Sequence, residues 1–135
     1  MRKTGILTVF IGVMALLSGL PASAQSTYAF KTSTGFYAGN AKMPPGDYTL
    51  RQVQSEGGVF SLDNSSGSHS VMLETRPSSK TSKGNPEILF NRYGTTEYLE
   101  AVETSTGNSI DIEPGVAEKM AAKKTSAQPH TVPTK

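Results

Sequence analysis

From Tyr28 to Glu113 the apolar residues come in short bursts, broken every few positions by Gly, Pro, Asn or Ser, and no stretch sustains a 3.6-residue period. A spacing of two dominates instead, at Tyr28/Phe30, Tyr48/Leu50, Phe60/Leu62, Ile88/Phe90 and Ile110/Ile112. Successive side chains of a strand point to opposite faces, so each pair marks a face turned to a core. The pattern predicts strands over 27–32, 35–39, 47–54, 58–64, 69–75, 87–93, 96–103 and 109–113. The links Ser55-Glu56-Gly57, 65–68 and 104–107 carry turn residues and favour antiparallel neighbours. The expectation is an all-β fold, a small antiparallel β-barrel or β-sandwich of about seven to eight strands.

Two segments break this rhythm. Residues 76–86 are polar, carry Arg76, Lys80 and Lys83, and are too long for a tight hairpin, which predicts a mobile loop. After Pro114-Gly115, residues 116–124 fit a short C-terminal helix with Val116 and Met120 on one side. Residues 125–135 are expected to form a disordered tail.

The start of the chain reads differently from the rest. Arg2 and Lys3 precede a low-polarity run from Gly5 to Leu20, and Ala22-Ser23-Ala24 closes it. Residues 1–24 therefore read as a signal peptide cleaved after Ala24, because the apolar run is short for a bilayer span, which needs about 20 residues. Residues 25–115 are then a single β domain, exported to the periplasm or the extracellular space, with no stable membrane insertion after cleavage. Losing Arg2 and Lys3 from the 13 Lys and Arg brings them level with the 11 Asp and Glu, so the basic balance gives no reason to expect nucleic acid. There is no cysteine, so packing has to hold the fold without disulfides, and thiolate metal sites and thiol catalysis are excluded.

The segments Ala38–Leu50 and Leu89–Val102 carry a resemblance. The step Met43-Pro44-Pro45-Gly46-Asp47-Tyr48 and the hairpin Phe90-Asn91-Arg92-Tyr93-Gly94 resemble those of a group of small exported β-proteins that recur in acidobacterial genomes. This chain has Asn91 where that pattern prefers His, and Thr95 where it prefers Asp. The resemblance implies an exported β domain and brings no biochemical activity with it.

Candidate chemistry is sparse. Arg92 with Tyr93 and Tyr98 offers a guanidinium fork and rings to an acidic or sugar ligand or a partner, while Gly46 and Gly94 read as structural turn residues. Residues 63–69 contain Asp63, Ser65 and His69, but a triad packed into one turn cannot converge, and Asn64–Gly67 are turn formers. His69 is the one histidine within 25–115, too few for a zinc site, and Asp111 with Glu113 lacks a calcium loop before it. No catalytic, cofactor-binding or metal-binding residues are therefore assigned. Acids crowd one region (Glu97, Glu100, Glu103, Asp111, Glu113, Glu118), and pairing Glu103 with Ser109 puts Tyr98, Val102, Ile110 and Ile112 on the inner face. Glu100 is then drawn partly inward, with Arg92 as its expected ion-pair partner. The reading that results is a non-enzymatic binding or structural module of the cell envelope, whose partner is an envelope protein, a glycan or an apolar ligand. The alternative is a small barrel holding an apolar ligand in its mouth among Phe30, Phe36, Tyr37, Phe60 and Phe90, with an enzyme third.

Overall fold

The computed structural model describes residues 26–53, 58–81 and 84–135. The signal segment with its cleavage point, the link at 55–57 and Lys83 lie outside the described residues. In chain order the elements are β1 (Thr27–Thr32), β2 (Phe36–Ala38), β3 (Ala41–Met43), β4 (Gly46–Gln52), β5 (Val59–Asn64), β6 (Ser70–Thr81), β7 (Glu87–Tyr93), β8 (Thr96–Glu103), β9 (Asn108–Ile112), α1 (Val116–Lys124) and β10 (Gln128–Pro133).

The protein is all-β; among the described residues there is one short helix, and the strands form a single sheet. β1, β4, β5 and the first half of β6 pair antiparallel in that order. The second half of β6 turns away to pair β9, with Pro77 where that ladder shifts register, a position at which a missing N–H is tolerated. β9 pairs β8, β8 pairs β7, and β7 pairs β10. The sheet curls around the core and stays open between β1 and β10. There the Lys135 N–H donates to Ala29 O at 2.8 Å, and the Lys135 ammonium pairs with Asp47.

Phe30, Phe36, Tyr48, Phe60 and Phe90 are buried and fill the interior with Leu50, Leu62, Ile88, Val102 and Ile112. Ring centroids lie 5.1 Å apart for Phe36 and Tyr48, 5.3 Å for Phe36 and Phe90, and 5.7 Å for Phe30 and Tyr48. The rings weighed above as the lining of a ligand-holding mouth are thus core residues, except Tyr37, which lies outside the cluster.

The structure corrects several expectations. Among the described residues there are ten strands rather than seven or eight, because β3 and β10 escaped the alternation pattern. Residues 125–135 hold β10 instead of a disordered tail, paired from Gln128↔Arg92 to Pro133↔Glu87. β6 carries the chain to Thr81 in extended form, pairing β9 at Thr75, Arg76 and Pro77 and again at Thr81, so most of the loop expected at 76–86 is strand. One ladder is parallel, β2 with β8 at Phe36↔Glu97 and Tyr37↔Tyr98.

The helix keeps its expected bounds, and its start is held from a distance. Asn40 Oδ1 accepts the Val116 N–H at 2.9 Å, satisfying one of the donors that a helix start leaves open. Gly115 lies against the backbone of Gly39, where a Cβ would collide with the carbonyl.

Candidate functional site

The β7–β8 hairpin closes at Tyr93↔Thr96 over a two-residue turn, with Gly94 at φ +66°. A glycine first in such a turn supplies a backbone conformation that a side chain resists. Gly46, at φ +150°, likewise opens β4. Both expected turn glycines therefore take conformations that favour glycine.

Next to the turn, Arg92 pairs with Glu97 across the ladder, Nη2 to Oε1 at 2.8 Å. Glu97 is 3 % exposed. Its Oε2 accepts the Thr34 hydroxyl at 2.9 Å, and Nδ1 of His130 stands 2.9 Å from Oε1. Burial pushes this carboxyl upward, but hydrogen bonds from Arg92 and Thr34 and the nearby His130 and Arg92 outweigh it and hold the group below its ordinary value. Arg92 thus ties to Glu97, and not to Glu100 as its expected partner. A small cleft of about 200 Å³, lined by Arg92, Gln128, Pro129 and His130, opens outside the pair.

Tyr93 and Tyr98 point the other way. Alternate residues of a strand take opposite faces, and a bulge separates two pieces of β8: Leu99 faces Phe90 and Ala101 faces Leu89, leaving Glu100 between them. Leu99 and Val102 consequently turn to the core, and Tyr98 does not share their face as the expected register required. Tyr98 stacks on Tyr37 at 5.3 Å and meets Tyr93 edge-on at 5.6 Å. The fork and the rings of the expected contact site therefore lie on opposite faces of one hairpin.

Glu118 of α1 joins the tyrosine face and is 5 % exposed. Burial first, then repulsion from and hydrogen bonding to Glu100, push Glu118 up to about 7. Burial, then Glu118 and Glu100, raise the Tyr93 phenol, and burial, then Tyr37 and Glu118, raise that of Tyr98. Tyr93 also borders an open cleft of about 510 Å³ with residues 122–127, at the end of α1 and just beyond it.

The expected turn at 63–69 is present. Asp63 accepts from Ser70, Ser61 and Arg51, while His69 Nδ1 pairs with Ser68 at 2.9 Å, so the two do not join in a relay. Glu113 lies 3.4 Å from Arg76. Among the described residues no group of three His, Asp or Glu gathers as a metal site, and no helix is long and apolar enough to cross a membrane.

At the opposite end of the sheet from Glu97 lies a cleft of about 470 Å³. Ser26, Ser78, Ser105 and Ser109 and the turn residues Thr104, Thr106 and Asn108 line it around Tyr28 and Ile110. Tyr28 and Ile110 are partly buried against the core, which fixes the floor. Thr104 Oγ1 lies 2.9 Å from Thr106 Oγ1 and accepts the Asn108 N–H at 3.2 Å, so the β8–β9 turn presents its polar groups in a set arrangement. The described lining carries no charged side chain. Sequence reasoning treated 104–107 as turn chemistry alone. The residues come from three separate stretches, 26–28, Ser78 and 104–110, and only the curl of the sheet brings them together.

Compared with protein-family models, curated proteins and solved structures, the chain matches none of them.

Proposed function

We propose that the chain is an exported, non-enzymatic binding module of the cell envelope, periplasmic or extracellular, whose ligand is a neutral glycan. The observation that carries this is the cleft at Tyr28, whose described lining residues are all uncharged. Its hydroxyls and the Asn108 amide match the donors and acceptors of a sugar, and Tyr28 with Ile110 offers an apolar floor for the C–H face of a ring. Export rests on residues 1–24 and on the likeness of 38–50 and 89–102 to the exported acidobacterial β-proteins. Glycosidic hydrolysis takes two carboxyl groups flanking the bond. A surface of hydroxyls holds a sugar without attacking it.

Titration with neutral oligosaccharides of several linkages, followed by saturation-transfer NMR, tests the reading. Ser105 is exposed in the turn, so Ser105→Trp fills the cleft without touching the core. The expected result is binding by the parent and a loss of about tenfold or more in the variant, roughly what 1.4 kcal/mol of lost contact produces. A parent that captures no neutral oligosaccharide, or a variant that binds as well as the parent, overturns the proposal.

A further inference from the structure

The helix α1 is docked the wrong way round for an ordinary surface helix. Its one buried residue is the acid Glu118, while Val116 is 63 % and Met120 55 % exposed. At about 100° per residue, Val116, Lys119, Met120, Lys123 and Lys124 share the half of the helix opposite Glu118. Lys119, Lys123 and Lys124 are all exposed. Arg51, Arg76, Arg92 and Lys135 each have an acid within 4 Å, whereas among the described residues no acid lies that close to these three lysines. Met72, 58 % exposed, borders the same shallow cleft as Gly115, just before the helix, and adds apolar surface beside its start.

We propose that this outward face of α1 docks the protein reversibly on an anionic lipid bilayer, with Val116 and Met120 entering the headgroup boundary and the three lysines meeting lipid phosphates. Each alternative occupant leaves part of the face unexplained. A soluble polyanion would neutralise the lysines and leave Val116 and Met120 in water. An apolar protein groove would cover Val116 and Met120 and strip water from three lysines without returning charge. A bilayer interface offers apolar depth and negative charge side by side, the combination that interfacial helices use. The burial of Glu118 against Glu100 fits this role, because it turns the acid of the helix away from the lipid. The inference rests on export into the envelope and is independent of the glycan cleft.

Co-sedimentation of the protein recovered after export, its N-terminus sequenced, with two vesicle types tests it. One type is phosphatidylcholine alone and the other contains about a third phosphatidylglycerol, enough to set up a negative surface potential. The expected result is partitioning at least about tenfold stronger on the anionic vesicles, weakening as salt screens the charge. Replacing Lys119, Lys123 and Lys124 by Gln should remove the preference for phosphatidylglycerol, and Val116→Thr with Met120→Gln should weaken binding to those vesicles. All five positions are exposed, and circular dichroism confirms that the variants fold. Equal binding to both vesicles, binding to neither, or variants that bind like the parent overturns the proposal. Capture by heparin without vesicle binding does the same and points to a soluble polyanion. None of these outcomes bears on oligosaccharide capture in the cleft, which is read separately.

Discussion

Glu118 of α1 is buried against a second carboxyl, Glu100 of β8, so the contact that seats the helix works best when a proton is shared between them. The folded-state value of Glu118, about 7, lies above the ordinary 4.5. Between these values the folded chain holds a proton that the unfolded chain has lost. Stability from this site is therefore complete below about 4.5 and falls as pH rises through the window, by up to about 3 kcal/mol for a shift of this size. Denaturant unfolding at pH 5 and pH 8 should show the loss. Glu118→Gln, which keeps the shape and needs no proton, should flatten the slope and raise stability at pH 8. An unchanged slope in the variant would assign the pH dependence elsewhere.

Glu97 has the opposite sign. Its carboxyl is held below the ordinary value, so its contribution is present above about 4.5 and lost as pH falls through the lowered value. Arg92→Ala removes the partner at 2.8 Å and leaves the buried acid with Thr34 and His130. Because the Arg92 side chain is 43 % exposed, water refills part of the gap, and the cost is expected near 1–2 kcal/mol, below the range for a wholly buried pair. Pairing Arg92→Ala with Glu97→Gln in a double-mutant cycle measures the coupling. Additive losses would show that the pair is a contact without energetic weight. Arg92→Ala should leave oligosaccharide capture unchanged, since the cleft lies at the other end of the sheet.

Two glycines should fail for different reasons. Nothing lies within 4 Å of a Cβ built on Gly94, so Gly94→Val is costly through its φ of +66° alone, by more than about 1 kcal/mol. Gly94→Asn should be milder, because Asn tolerates that conformation. Gly115 has no such torsional demand, and a Cβ there meets the Gly39 backbone and Asn40 Oδ1. Gly115→Ala should therefore loosen α1, visible as lost helical signal and faster amide exchange at Val116. Equal effects of Val and Asn at position 94 would rule out the torsional explanation.

Much of the fold was legible wherever one face of a strand meets the core. The spacings at Phe30, Leu50, Phe60, Leu62, Ile88 and Phe90 mark residues that are all buried, and Glu103 does pair Ser109. Period-two reasoning stopped at Glu100, because a bulge inserts one residue and sends Tyr98 to the face away from Val102. The sequence carries no mark for that insertion. Glu97 as the buried acid followed from the same slip. The cleft at Tyr28 was invisible for another reason: Ser, Thr and Asn residues have a sufficient local explanation as turn formers, and their convergence depends on distant strands.

β10 shows how an edge strand hides. Its sequence, Gln128–Pro133, has two prolines and only Val132 partly buried, so neither alternation nor β-propensity marks it. Yet it covers the outer edge of β7 over its whole length, places His130 beside Glu97 and packs Val132 on the core. The chain end beyond it bridges the open seam through Lys135, to Ala29 and Asp47. Removing residues 126–135 would expose the β7 edge, a template for pairing with another chain. The truncated protein should lose about 2 kcal/mol or more, the order expected from one partly buried side chain and several ladder hydrogen bonds. It should also self-associate in light scattering at concentrations where the parent stays dispersed. Lys135→Ala alone keeps β10 and its ladder, and should cost well under 1 kcal/mol, as exposed pairs do. A truncation as stable and as dispersed as the parent would mean that β10 contributes nothing to holding the sheet, and that the chain end is the tail its composition suggests.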